Sequence, residues 1–145
     1  MNTPYQIPAA DLAYLGDAVY EIAVRTHLVR CGVKTPSVAS LAYVKATAQS
    51  AAMEKILPYL QEAEADVYRR GRNCIHNTTP KSCTPSEYRR ATGLEALLGY
   101  LWLMGDTERI HTLLRIGIGI DAAPVDEKQE QPEPPSETGN ERREE

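Results

Sequence analysis

Only three cysteines occur in the 145 residues: Cys31, Cys74 and Cys83. An odd number without a Cys-x-x-Cys pair argues against a disulfide framework. Cys74, His76 and Cys83 stand near one another, but their spacing matches no usual zinc pattern, so reduced thiols are expected. No apolar run reaches the ~18 residues of a membrane span. The opening MNTPYQIPAADLAYLGD has neither the basic start nor the cleavage site of a signal peptide. A cytoplasmic protein with no membrane partner is therefore expected. Alternating strand pattern is also missing, so no sheet is needed, and no segment repeats.

What remains is a chain long enough for one domain with a real core. The net charge of -4 is unevenly placed. Residues 121–145 carry nine acidic and three basic side chains, while residues 1–120 are slightly basic. Between Arg69 and Arg90 six basic residues face one acid, Glu87. The stretch APVDEKQEQPEPPSETGNERREE is Pro- and Glu-rich with almost nothing to bury, so it is expected to be disordered. These features predict an all-α domain over 1–120 and an acidic tail over 121–145.

Helix punctuation divides the body. The pattern predicts a long helix from just after Pro8 to Gly32, where glycine suits a left-handed end. Thr35-Pro36 reads as a cap followed by a first-turn proline. Helical pattern continues through SLAYVKATAQSAAMEKILPYLQ, with a break expected near Thr47 to Gln49 and a disturbance at Pro58. A shorter helix is expected over about Glu62 to Arg70, then a polar loop over Gly71 to Ser86. Thr84, Pro85 and Glu87 form a capping-box start for a helix running to about Met104. A last helix follows Asp106, with Ile110, Leu113, Leu114 and Gly117 facing inward.

Two of these helices carry acids where apolar residues dominate. In LAYLGDAVYEI the wheel puts Leu12, Leu15, Val19, Ile22 and Ala23 on one face. Asp17 and Glu21 lie roughly opposite, flanked by Ala13, Tyr20, Val24 and Leu28. The later helix repeats the design: Leu94, Leu97, Leu98 and Leu101 share a face, and Glu95 shares a stripe with Tyr88, Thr92, Gly99 and Trp102. Gly16, Gly93 and Gly99 are poor helix formers, each about 1 kcal/mol worse than alanine, but they permit close approach. The two helices are expected to cross near Gly16 and Gly99, bringing Asp17 and Glu95 together. Two such carboxylates share a proton or hold a cation, and Mg²⁺ is the ion that prefers oxygen ligands and water. The alternative is that each acid caps a helix or pairs with an arginine.

LAYLGDAV, with LEALLGYL about eighty residues later, resembles the two acid-bearing helices of the ribonuclease III catalytic domain. The resemblance covers about Ala9 to Ile120. RRGRN and TTPK are similar to a short branch of that family, which lacks the usual double-stranded-RNA-binding domain. It implies a single ribonuclease III-like helical endonuclease domain and a homodimer that cuts double-stranded RNA with Mg²⁺. Each subunit would cut one strand, leaving 5′-phosphate and 3′-hydroxyl ends. For the short branch it implies maturation of the 23S ribosomal RNA precursor. The family's catalytic and metal-binding acids match Asp17 and Glu95. Its other acids fall at Ala10, Ala13 and Thr92, which are not acidic. Waters would fill those places, or Glu21 would assist from behind.

A nuclease of one domain needs its own phosphate contacts, and the basic segment offers them. Arg69, Arg70, Arg72, Asn73, Lys81 and Arg89 are the expected RNA contacts, with Asn77 and Thr79 as further donors. A solvated surface face is the plainer reading of the same charges, and Arg89 and Arg90 could pair with helix acids. His27 and His111 are expected to be partly buried or surface residues. A catalytically weak or inactive RNA- or ribosome-binding module of the same fold is the alternative function. The missing acids favour it; retention of both Asp17 and Glu95 favours the nuclease.

Overall fold

The computed structural model describes residues 1–74 and 78–123, and every regular element among them is helical. Helix α1 spans Ala9–Arg30 and ends before Gly32, whose φ of +66° is left-handed. Two single-turn helices follow, α2 (Pro36–Ala39) and α3 (Leu41–Val44), then α4 (Ala46–Ile56). Pro58 sits in a 3₁₀ turn over Leu57–Tyr59 that ends α4. Helix α5 spans Glu62–Arg72, α6 spans Pro85–Leu103 and α7 spans Thr107–Ile118.

The starts of α6 and α7 follow the sequence closely because side chains dictate them. Thr84 Oγ1 accepts from the Glu87 amide at 3.1 Å, and Glu87 Oε1 accepts from the Thr84 amide at 3.0 Å. Asp106 Oδ1 accepts from the Arg109 amide at 3.2 Å. Each satisfies amides that a helix start leaves unpaired.

Helix α6 is the axis of the domain. From Ala91 to Leu101 every residue except Glu95 is buried. Helices α1, α4, α5 and α7 pack around it. Leu94, Leu97 and Leu98 are wholly enclosed, each stabilising the fold by about 1.5–3 kcal/mol. Ile110, Leu113, Leu114 and Gly117 face inward on α7, as their spacing predicts. Buried Glu64 locks α5 to α7, because Arg109 grips both its oxygens at 2.9 Å. Burial opposes the Glu64 charge, but Arg109 and the Gln61 amide hold its carboxyl below its usual range.

Three expectations need correction. The break expected at Thr47 to Gln49 falls at Lys45, whose extended backbone (φ −63°, ψ 144°) separates α3 from α4. Gln49, in the stretch of the expected break, and Ser50 are instead buried within α4, where Ser50 accepts a hydrogen bond from Arg90. Helix α5 runs two residues further than expected, because buried Gly71 lets it lie against α6. On α1 the inward face is Leu12, Ala13, Gly16, Val19, Tyr20, Ala23, Val24 and Leu28, whereas Leu15 is half-buried and Ile22 exposed. Close contact with α6 turns the small-residue edge inward and pushes those two aliphatics out.

Beyond Ile120 the described chain still packs. Ala122 is buried, and the Asp121 amide donates to His27 Nδ1 at 3.0 Å. The expected tail past Ala123, like His76 and Asn77, lies outside the described residues.

Candidate active site

The crossing of α1 and α6 is a backbone contact. A Cβ on Gly16 would stand 1.6 Å from the Glu95 carbonyl oxygen, and one on Gly99 would stand 2.0 Å from that of Leu12. No side chain fits at either point, so both glycines are required by packing and not by φ. With the backbones in contact, Asp17 and Glu95 meet at the crossing, as the sequence predicts. Asp17 is exposed and Glu95 half-buried. Burial, reinforced by the Asp17 charge, pushes the Glu95 carboxyl up to about 8.

Among the described residues neither carboxylate has a hydrogen-bond or salt-bridge partner. That removes, for those residues, the alternative in which each acid caps a helix or meets an arginine. The pair has two ways to relieve repulsion: Glu95 keeps its proton, or a cation is bound. Hard oxygen donors on a part-exposed, part-buried site suit Mg²⁺, which takes one or two carboxylates and keeps several waters. No third His, Cys, Asp or Glu joins them among the described residues.

The neighbours of the pair are accounted for. Ala13 and Thr92 are buried, and the Thr92 hydroxyl donates to the Tyr88 carbonyl at 3.0 Å. Glu21, which could have assisted from behind, is committed to Arg25 at 2.6 Å. Tyr20 is buried, and its hydroxyl donates to the Tyr43 carbonyl at 2.6 Å. Burial raises its pKa, with smaller contributions from Tyr43 and Glu95. In the sequence Tyr20 is one more apolar flank of the acid stripe; its position three residues after Asp17 is the signal that sets it apart.

The basic segment does not form one patch. Arg70 donates to the carbonyls of Tyr5 and Ile7, both at 2.9 Å, and lies 5.2 Å over the Tyr5 ring. It fastens the N-terminal segment to α5. Arg90 is held by Ser50, Ser86 and Glu54. Arg69 pairs with Asp66 at 3.3 Å in a cleft that also holds Glu62. Arg72, Asn73 and Arg89 instead converge, with Cys74, Thr79, Pro85 and Tyr88, on a cleft of about 380 Å³. Lys81 is exposed on the loop. Tyr88, at the edge of this cleft, lies seven residues before Glu95 on the same stripe of α6, roughly 10 Å along the helix. Helical spacing puts Tyr88 on that stripe, and only the fold brings it to a basic cleft.

Elsewhere an apolar face lies open. Tyr14 is 85% exposed, Val29 67% and Ile22 59%, all on α1, and Trp102 of α6 is 48% exposed. Ile22, Trp102, Ile110, His111 and Ala122 line a groove of about 320 Å³ there. His27 and His111 are half-buried, as expected.

The Ribonuclease III domain matches residues 10–106 of the chain. Over 118 residues the chain is 47% identical to a Mini-ribonuclease 3 of Symbiobacterium thermophilum, covering 79% of this chain and 91% of that protein. It is 44% identical over 112 residues to a Mini-ribonuclease 3 of Thermoanaerobacter, covering 75% of this chain and 79% of that one. An X-ray structure of a Fusobacterium nucleatum protein superposes with a TM-score of 0.71 at 34% identity, over 79% of this chain and 93% of that one.

Proposed function

The chain belongs to the ribonuclease III family, within its Mini-ribonuclease III branch, and on that premise we propose that it cuts double-stranded RNA with Mg²⁺ at Asp17 and Glu95. It is an endoribonuclease of the ribonuclease III type. The observation that carries the site assignment is the acid pair itself. Two carboxylates sit in mutual repulsion at a glycine-packed crossing, and no cationic side chain among the described residues relieves them.

Each residue has its task in this reading. Asp17 presents an open carboxylate towards the solvent side, where RNA would lie. Glu95, deeper, holds its proton until a cation replaces it. Mg²⁺, when bound, supplies polarisation of a phosphodiester oxygen and a more acidic water for attack. Arg72 and Arg89 bind backbone phosphates, and Asn73 offers a donor to phosphate or 2′-hydroxyl. The cleft gives these three a common direction; Lys81 would add a peripheral charge. Arg70 is taken up by the N-terminal carbonyls and Arg69 by Asp66.

The substrate we infer is the 23S ribosomal RNA precursor, on the resemblance to the short branch. A homodimer in the cytoplasm completes the proposal. The open apolar face of Tyr14, Ile22, Val29 and Trp102 supports the dimer, since exposed patches of this kind mark association surfaces. Two copies would place two acid pairs across one duplex. No helix among the described residues is long and apolar enough to cross a membrane.

One observation favours the alternative, an RNA-binding module with little or no activity: Ala13 and Thr92 stand where the family carries further acids. Incubation with a base-paired 23S precursor, with Mg²⁺ or with a chelator, decides between them. The wild type is expected to cleave only with Mg²⁺. Asp17→Asn is expected to lose at least ~100-fold in rate while still binding the RNA, more than the loss of a ligand's outer partner produces. A wild type that binds without cutting would establish the module, and an Asp17→Asn protein that cuts normally would remove Asp17 from the site.

A further inference from the structure

Helices α1 and α6 contain three interior glycines, and their crossing uses only Gly16 and Gly99. Gly93 faces α5 instead. A Cβ there would stand 2.5 Å from Cε2 and 2.6 Å from Cδ2 of the Tyr68 ring. The buried ring thus lies with one edge against bare α6 backbone and has no room to swing that way. Gly71 fixes the main chain of α5 in the same manner. A Cβ on it would meet Ala96 Cβ at 2.6 Å and Gly93 Cα at 3.0 Å. The last turn of α5 is pinned to α6 at both residues.

Arg72 emerges from that turn. It stands four residues after Tyr68 on the same face of α5, and a helical side chain leans back over the preceding turn. Its guanidinium carbon lies over the Tyr68 ring, 5.7 Å from the centroid, inside the ~6 Å of a cation–π contact. Its Nε donates to Asn73 Oδ1 at 3.4 Å. The residue is exposed and lines the cleft that also holds Arg89, while the ring beneath it is buried. A free arginine side chain loses rotamer freedom when it grips a phosphate, and that ordering weakens binding. Here the ring orders the guanidinium before any RNA arrives.

We propose that Tyr68 is a positioning residue for RNA binding: its ring, wedged against Gly93, seats the Arg72 guanidinium at the cleft, ready for a backbone phosphate. The inference rests on the reading that this cleft binds RNA phosphates. Tyr68→Leu removes the π face, and Tyr68→Phe keeps it. Tyr68→Met also fills the space without a ring, and it takes the place of Tyr68→Leu if leucine unfolds the domain.

Binding of double-stranded RNA is measured in chelator at several salt concentrations, well below each variant's own unfolding midpoint. Tyr68→Leu is expected to bind about fivefold more weakly, with an unchanged salt slope because every charge remains. Tyr68→Phe is expected to stay within about twofold of the wild type. In an Arg72→Ala background Tyr68→Leu is expected to cause no further loss, whereas in an Arg89→Ala background its loss is retained in full. A full further loss in the Arg72→Ala background would overturn the proposal, by showing a general effect of core softening. Tyr68→Leu binding as well as the wild type, or Tyr68→Phe binding as weakly as Tyr68→Leu, would overturn it too and leave the cleft standing. An Arg72→Ala protein that binds as tightly as the wild type would instead overturn the reading of the cleft, and the role of Tyr68 with it.

Discussion

The α1–α6 crossing and the basic segment from Arg69 to Arg90 are built on opposite principles. At the crossing two backbones touch, and each residue's role follows from its neighbours along one helix. In the basic segment the same side-chain type does different work at successive positions. Arg70 fastens carbonyls of the N-terminal segment, whereas Arg72, two residues on, turns to an open cleft. Arg89 reaches that cleft from α6, and its neighbour Arg90 is held by α4. Close packing makes a site legible from local pattern; long, flexible charged side chains take their partners from wherever the fold brings them.

The hardest way to break this contrast is to attack the crossing. Gly99→Ala would place a methyl 2.0 Å from the Leu12 carbonyl oxygen, and α1 cannot retreat without opening the core. A loss of at least ~4 kcal/mol is expected, within the range reserved for gross core disruption. Thermal unfolding by circular dichroism would show a midpoint lower by more than about 15 °C. A drop of only a few degrees would mean that the helices can slide apart.

A gentler probe titrates the crossing. Glu95 is raised from 4.5 to about 8 in the folded protein. Folded chains thus hold a proton that unfolded chains release between those values. The contribution is fully present below about 4.5 and is lost as pH rises through about 8, so metal-free stability falls across that window. Mg²⁺ is expected to stabilise more as pH rises, because it binds the ionised pair. Unfolding midpoints from pH 5 to 8.5, with and without Mg²⁺, check this, and Glu95→Gln is expected to flatten the metal-free slope. A slope of the opposite sign would contradict the burial of Glu95.

The smallest expected effects sharpen the other side of the comparison. Arg72→Ala and Arg89→Ala are each expected to weaken RNA binding severalfold and to reduce the salt dependence by about one counterion, with little change in melting temperature. Arg70→Ala is expected to do the reverse, losing about 1.5–3 kcal/mol of stability with an unchanged salt slope. Titration of double-stranded RNA at several salt concentrations, beside thermal melts, separates the two classes. If all three behaved alike, the division of the segment would be wrong.

Much of the fold was legible because local chemistry dictates it. Thr84 with Glu87, Asp106 and Gly32 mark helix ends through hydrogen bonds or backbone preferences within a few residues. Gly16 and Gly99 gave the crossing because only a close contact compensates for glycine in a helix. What escaped depended on distant partners. Nothing local marks Ser50 as buried; its partner Arg90 arrives from forty positions away. Ile22 reads as core until the small edge of α1 takes the inward side. Tyr20 reads as bulk until Tyr43 accepts its proton.

By itself, then, the amino-acid order determined a helical domain, its helix starts, and two acids on helices close enough to meet. Periodicity, capping and glycine placement are short-range properties, and they survive any choice of packing. Only the tertiary structure decided which face of α1 is buried, which arginines remain open, and that neither acid finds a cation among the described side chains. Those outcomes depend on which groups from remote segments arrive within a few ångströms, and linear spacing does not encode that distance.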